Sequence, residues 1–212
     1  MNLKMKKEYY ENYIENIHYG LLNSNFFIEN KLVSPNIFFK NIKSLMNYLR
    51  ENKYNIFFFG NGASAAFANH MALDFSKNGK IMSRSLSDSA LLTALSNDYT
   101  FERAMVEYLK IEGVTKNDLV ITISSSGNSP NIINVLDYCK INRINTLALS
   151  GLKKNNKSIQ SAKNSIYVPM KTYGMIECIH QIFLHSILDE CMGIFEWDRE
   201  DFQDMNSDNY KL

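Results

Sequence analysis

The sequence is poor in cysteine and proline, with three of each among its 212 residues. Cys139, Cys178 and Cys191 are scattered along the chain and form no CxxC pair. That spacing excludes a disulfide framework and is typical of buried thiols in a reducing compartment. We therefore expect a cytoplasmic protein.

An excess of charge of one sign and long apolar runs are also missing. The 23 basic and 22 acidic residues leave a net charge of +1, so nothing attracts the chain to nucleic acid or to a membrane surface. The longest apolar runs are too short to span a bilayer, and the N-terminus is polar and charged, unlike a secretory signal. We expect neither nucleic acid nor a membrane as a partner.

Short apolar runs alternate with amphipathic segments along most of the chain. Runs typical of buried strands lie at residues 54–59, 81–86, 119–123, 145–149 and 165–169. Helical patterns lie at residues 4–23, 35–50, 65–77, 89–97, 100–111, 130–142 and 174–193. This alternation predicts an α/β fold, a parallel sheet flanked by helices on both faces.

The two ends of the chain depart from this alternation. Two N-terminal helices precede the first expected strand, and one sheet of this size has limited room for their apolar stripes. We expect part of that surface to face another subunit. Residues 1–193 are predicted to form one domain with this helical extension, and residues 194–212 a polar, acidic, solvent-exposed tail.

The stretch LVITISSSGNSP, from Leu119 to Pro130, reads as a strand, a loop and the start of a helix. Ser129 is a good N-cap and Pro130 a good first helical residue. A helix N-terminus presents free N–H groups and a partial positive charge, and the serines add hydroxyl donors. We interpret this loop as a cradle for a phosphate monoester; the alternative is a serine-rich surface turn.

A second loop of the same kind runs from Gly60 to Ser64, again between a strand and a helix. Because ligands bind at the carboxyl ends of parallel strands, both loops are expected to converge on one crevice. The pattern Gly60-x-Gly62-x-x-Ala65 also meets the loose dinucleotide fingerprint, with Asp88 as a ribose partner. A nucleotide-dependent oxidoreductase is therefore one alternative function.

Titratable side chains gather on two of the predicted helices. His70 and Asp74 are four residues apart and share one face, either as part of a site or as a surface ion pair. Glu177, His180 and His185 interrupt an apolar helix. At 100° per residue, Glu177 lies near both histidines, but the two histidines lie far apart around the helix. At most one of them joins Glu177 in a site within the same subunit.

Four stretches resemble the sugar isomerase (SIS) domain family: FFFGNGASAAFANHMALDF, SDSALLTALSNDYTFE, ISSSGNSPNI and IECIHQIFLH. Within it the chain is most similar to the phosphoheptose isomerases, which convert sedoheptulose 7-phosphate to a heptose 7-phosphate. The likeness covers roughly residues 5–193. It implies a single SIS domain with a five-stranded parallel sheet, a homotetramer, and active sites assembled between subunits.

The resemblance also implies roles for individual residues. Those expected to bind the sugar phosphate are Asn61, Gly62, Ser64, Ser124, Ser125, Ser126 and Ser129. Asp98 would support the sugar or a subunit contact, although it also suits a capping turn. In some members of the family, the residues at four positions ligate zinc (Zn²⁺). In this chain those positions hold His70, Asp74, Glu177 and His185. Asp74 would be the catalytic base and His185 the catalytic acid. His180 is expected to have a structural or interface role.

The chain departs from the family pattern at several residues at or next to these positions. Asp74 stands where the family has glutamate, Glu177 where it has glutamine, and Cys178 where it has glutamate. Gly174 falls where a hydroxyl or acidic residue is common, and Ala63 replaces a glycine. Histidine, aspartate and glutamate are all acceptable zinc ligands, so a metal tolerates these changes.

The implied reaction is aldose–ketose isomerisation of sedoheptulose 7-phosphate to glycero-manno-heptose 7-phosphate through an enediol. The alternative is a non-catalytic SIS module that binds a phosphosugar or a protein, like the relatives that associate with the bacterial replication initiator. A pure binding protein has no need of an acid–base pair, so His70 and His185 favour the isomerase.

Overall fold

A computed structural model describes residues 8–198 of the chain. Its helices are α1 (Tyr9–Leu22), α2 (Pro35–Asn52), α3 (Ala63–Lys77), α4 (Ser89–Asp98), α5 (Phe101–Ile111), α6 (Pro130–Ile141), α7 (Lys157–Ser161) and α8 (Tyr173–Met192), followed by a 3₁₀ turn at Glu196–Asp198. Its strands are β1 (Asn25–Ile28), β2 (Lys31–Val33), β3 (Ile56–Gly60), β4 (Ser83–Ser85), β5 (Leu119–Ser124), β6 (Asn145–Ser150) and β7 (Asn164–Tyr167). The last fourteen residues of the predicted tail lie outside the described residues.

Within residues 8–198 the strands form one sheet in the order β2-β1-β7-β6-β5-β3-β4. The five strands from β7 to β4 are mutually parallel, as the alternation of elements predicts. However, β1 runs antiparallel to both β2 and β7. The prediction of five parallel strands is therefore incomplete. Those five strands are present, but they are part of a mixed sheet of seven strands.

The missed hairpin lies between the two N-terminal helices, which are thus not consecutive. It turns at Glu29 and Asn30, whose φ angles are +48° and +63°. Two-residue hairpin turns of this type need positive φ at both central positions and usually carry Asn-Gly or Asp-Gly. Glutamate is an unusual residue there, so the local sequence lacks the signal that normally reveals such a turn.

Strand β3 shows how both faces of the sheet are buried. Ile56 and Phe58 belong to the apolar core shared with α2, α3 and α8. Phe57 and Phe59 point the other way, into the core shared with α5 and α6. A continuous apolar strand is what a sheet covered on both faces requires. Among the described residues no helix is both long and apolar enough to cross a membrane.

His180 on α8 is completely buried. Neither ring nitrogen has a hydrogen-bond partner of good geometry among residues 8–198, although the Ser150 backbone nearby slightly favours the protonated form. Desolvation dominates and lowers the pKa of His180 from 6.5 to about 4. The ring is therefore neutral and structural, consistent with the role expected from the sequence.

This buried imidazole predicts a specific loss of stability in mild acid. The unfolded chain binds a proton at His180 near pH 6.5, whereas the folded chain does so only near pH 4. As the pH falls through this window the unfolded state gains protons first, so stability falls, by about 3 kcal/mol in all. His180→Leu should flatten that part of the profile in urea unfolding from pH 7 to pH 4. The same change at exposed His18 is the control, and parallel profiles for wild type and His180→Leu would contradict the prediction.

Candidate active site

The loop between β5 and α6 is held in one conformation by backbone contacts. The Gly127 N–H donates to the Ser124 carbonyl at 2.9 Å and lies 3.2 Å from its Oγ, and the Ser158 N–H donates to the Gly127 carbonyl at 2.9 Å. Gly127 has a φ of +62°, and a Cβ there would collide with the side chain of Asn156. The glycine is therefore required both for the turn and for the close approach of Asn156.

The second loop, between β3 and α3, is joined to the first by an amide pair. Asn61 Nδ2 donates to Asn131 Oδ1 at 3.0 Å, and Asn131 Nδ2 donates back to Asn61 Oδ1 at 2.8 Å. A Cβ at Gly60 would collide with the Ser64 backbone, so only glycine allows this tight turn into α3. The starts of α3 and α6 are thus fixed next to each other.

Together the two loops and the start of α8 enclose a cavity of about 120 Å³. Its lining residues are Asn61, Ser64, Ile123, Ser124, Ser125, Ser126, Ser129, Tyr173 and Glu177. None of these carries a positive charge, so an anion would be held by hydroxyl groups and by the N-termini of the two helices. The Ser125 hydroxyl is buried and has no hydrogen-bond partner among the described residues.

Most of the sequence-predicted phosphate ligands are therefore brought together. Gly62 is the exception in this set: it is the N-cap of α3, exposed, and outside the cavity lining. Asp98 is also absent from the cavity lining. It is exposed at the end of α4, where it accepts a hydrogen bond from Asn97 Nδ2 at 3.1 Å. Asp88 was considered as a ribose partner in a dinucleotide site. Its carboxylate instead caps α4 by accepting a hydrogen bond from the Leu91 N–H at 2.6 Å.

Farther along α3 and α8, a second group contains His70, Asp74 and His185. His70 Nε2 lies 2.9 Å from Asp74 Oδ2, and the His70 and His185 rings meet edge to face with centroids 5.4 Å apart. One donor atom from each of the three residues lies within 4.8 Å of the others. Two imidazoles and a carboxylate are a donor set that suits zinc, and catalytic zinc sites keep three protein ligands and one open position.

Glu177, expected as a fourth ligand, does not join this group within residues 8–198. It lines the cavity between the two loops instead. A side chain within hydrogen-bond distance of His185 is that of Gln181, whose Nε2 lies 2.9 Å from His185 Nε2. Sequence reasoning overlooked Gln181, although its spacing of four residues before His185 on one helix already places the two side chains together.

The chain is similar to known proteins of one family. A family model described as SIS domain matches residues 39–151. The chain is 32% identical over 145 residues to the phosphoheptose isomerase of Helicobacter pylori (strain Shi470), covering 66% of this chain and 74% of that protein. It is 34% identical over 151 residues to the phosphoheptose isomerase of Aneurinibacillus thermoaerophilus, covering 68% and 74%.

The fold is likewise shared with a solved structure. The structure of phosphoheptose isomerase from Neisseria gonorrhoeae aligns with a TM-score of 0.71 at 25% identity, over 86% of this chain and 94% of that one. The α/β fold and the matching family model show that the chain belongs to the SIS domain family. Within that family it is a phosphoheptose isomerase-like protein.

Proposed function

We propose that the chain isomerises a phosphorylated sugar, with sedoheptulose 7-phosphate as the substrate and glycero-manno-heptose 7-phosphate as the product. Its membership of a group of named phosphoheptose isomerases makes it an enzyme of the sugar phosphate isomerase class. The observation that carries the proposal is the division of α3 and α8 into two functional halves. The first half of each helix borders the phosphate cavity, and the second half carries an acid–base group.

The separation of the two halves suits a long substrate. On α3, His70 follows Ser64 by six residues, about 9 Å along the helix axis. On α8, His185 follows Glu177 by eight residues, about 12 Å along the axis. A sugar phosphate whose phosphate lies in the cavity therefore needs several carbon atoms to bring its carbonyl to the second half, which favours a seven-carbon chain.

In this mechanism Asp74 is the base and His185 the acid. The Asp74 carboxylate, oriented by His70 at 2.9 Å, takes the proton from the carbon next to the carbonyl and returns it to the neighbouring carbon. His185 gives a proton to the carbonyl oxygen and takes one from the adjacent hydroxyl, so the enediol forms without a free oxyanion. The two groups lie on facing helices, as a proton transfer across the substrate requires.

A zinc ion fits the same residues. His70, Asp74 and His185 would hold it, and it would supply a Lewis acid that polarises the substrate carbonyl. Glu177 has no part in this donor set and instead faces the phosphate end of the substrate.

We further propose a homotetramer with active sites between subunits. Helix α1 presents large apolar side chains to solvent in the isolated chain, since Tyr9 is 81% and Leu22 is 74% exposed. Such a surface is typical of one that packs against another subunit. In that assembly Asp98, which is absent from the cavity lining of its own chain, would contribute to the site of a neighbour.

The direct test is turnover. The purified protein, with and without zinc, is incubated with sedoheptulose 7-phosphate, and the products are followed by NMR. Formation of an aldose heptose 7-phosphate would establish the isomerase. Binding of the phosphosugar without turnover would replace it by a non-catalytic phosphosugar-binding module, and absence of binding would favour a module that binds a protein.

Glu177→Gln is expected to tighten the binding of phosphate-bearing ligands. The carboxylate lines a cavity with no lining cation, so it repels a bound phosphate, and an amide of the same shape does not. Removing one like charge at this distance should lower Kd about 2- to 10-fold at low salt, measured by calorimetry with sedoheptulose 7-phosphate. Glu190→Gln, the same change elsewhere on α8, is the control. Weaker binding in Glu177→Gln would mean that the carboxylate binds the sugar, and unchanged binding would mean that it does not repel the phosphate.

A further inference from the structure

The contact between Gln181 and His185 has a consequence for the protonation of the imidazole. Gln181 approaches Nε2 of His185 at 2.9 Å, and no hydrogen bond within residues 8–198 engages Nδ1. The amide of Gln181 has a donor end and an acceptor end, and a neutral imidazole has one nitrogen of each kind. The end of the amide that faces Nε2 therefore decides which ring nitrogen carries the proton.

The two orientations of the amide give opposite results. The structure has the amide NH₂ toward His185; because an amide NH₂ only donates, a neutral imidazole in this arrangement accepts at Nε2 and carries its proton on Nδ1. With the amide oxygen toward His185, Nε2–H donates and Nδ1 keeps a free lone pair. Nε2 is engaged by Gln181 in both cases, so Nδ1 is the nitrogen left to give a proton or to hold a cation.

Nothing else in the described part of the chain fixes the amide in one orientation. Its far end, Oε1, is buried and has no hydrogen-bond partner. Rotation of the amide by 180° exchanges one unpartnered end for the other. Either orientation therefore leaves one buried polar group without a hydrogen bond, and the cost in free energy is similar. Both orientations are therefore open to the amide, and each of them imposes its own tautomer on His185.

We propose that Gln181 is a positioning residue that sets the tautomer of His185 and switches it between two roles. With the amide NH₂ on Nε2, the imidazole is an acid that presents Nδ1–H. With the amide oxygen on Nε2, it is a metal ligand that presents a lone pair at Nδ1, the arrangement in which an outer partner orients a ligating histidine. The acid role rests on the proposed isomerase function; the tautomer does not.

Two substitutions of Gln181 test the separate effects of its amide oxygen and its amide NH₂ on His185. In Gln181→Glu both side-chain oxygens accept when the carboxylate is ionised, so Nε2–H and a free Nδ1 are enforced. In Gln181→Met neither end forms a strong hydrogen bond, and the ring loses its orientation. Gln160→Glu, at an exposed position of α7, adds the same charge on another helix and is the control.

The first readout is NMR of the metal-free protein with ¹⁵N-labelled histidine at pH 8. The His185 signals of Gln181→Glu are expected to be those of the Nε2–H tautomer, whereas wild type and Gln160→Glu retain an Nδ1–H population. The second readout is Co²⁺ or Zn²⁺ affinity, expected to rise about tenfold in Gln181→Glu and to fall about tenfold in Gln181→Met. Identical tautomers in wild type and Gln181→Glu, or equal metal affinity in both variants, would overturn the proposal.

Turnover is the third readout. The kcat of Gln181→Glu is expected to fall at least tenfold, with KM nearly unchanged, because His185 no longer presents Nδ1–H. If no variant and no wild-type sample isomerises sedoheptulose 7-phosphate, the proposed function fails while the tautomer and metal results still decide the role of Gln181. If wild type is active and Gln181→Glu is equally active, the acid role at Nδ1 is wrong.

Discussion

His185→Gln is expected to lower kcat by about 10²–10⁴-fold while leaving the binding of the phosphosugar nearly unchanged. His185 is the only proposed proton donor on α8, and it lies in the second half of that helix, about 12 Å along the axis from the phosphate cavity. Glutamine keeps a polar side chain of similar reach but cannot exchange a proton at neutral pH. Turnover is measured by NMR and binding by calorimetry, both with sedoheptulose 7-phosphate.

The control for this loss is His18→Gln. His18 is exposed on α1 and makes no contact with the cluster of His70, Asp74 and His185, so its replacement should leave kcat within twofold of wild type. A loss of binding in His185→Gln equal to the loss of kcat would show that the imidazole holds the substrate and does not serve as the acid. Full activity of His185→Gln would remove the residue from the mechanism.

Gly127→Ala is expected to damage both the fold and the phosphate site. The positive φ of +62° costs an alanine about 1–2 kcal/mol. The new Cβ also collides with Asn156, which is fixed by its own bonds to Ser150 Oγ at 3.1 Å and from the Ile159 N–H at 3.2 Å, and such overpacking adds about 1–3 kcal/mol. The serine loop should shift, so phosphosugar affinity falls along with the free energy of unfolding.

Gly113→Ala is a matched control for the backbone contribution. Gly113 has a similar φ of +66°, but a Cβ there meets nothing within 4 Å. We expect it to lose only the backbone contribution of about 1–2 kcal/mol in urea unfolding and to bind the phosphosugar normally. Equal stability and equal binding in the two alanine variants would show that the contact with Asn156 does not hold the loop.

Local patterns in the sequence were sufficient for the elements around the cavity. Ser129 followed by Pro130 predicts the start of α6 because each residue has a strong intrinsic preference for its position. The continuous apolar runs predict β3 and β5 because both faces of a parallel sheet are buried. The convergence of the two loops follows from the rule that parallel strands end at the same edge of the sheet.

The hairpin of β1 and β2 was not predicted from local patterns. Its turn residues, Glu29 and Asn30, do not have the intrinsic preference that marks such turns, and β1 is held in place by pairing with β7, more than 130 residues later in the chain. Pairing at this distance is a tertiary effect, which overrides weak local preference. The short helix α7 was also missed, because its five residues are too few to show a period.

The sequence by itself determined the α/β class, the two polar loops that follow β3 and β5, and the pairing of His70 with Asp74, because each depends on neighbours within one turn or one loop. Only the tertiary structure decided that His185, and not Glu177, joins that pair, and that Gln181 contacts His185. Residues on one helix are ordered by its period, but the face that meets α3 is fixed by the packing of α8 on the sheet and its neighbouring helices. That packing is the sum of many apolar contacts distant in sequence, and no local pattern contains it.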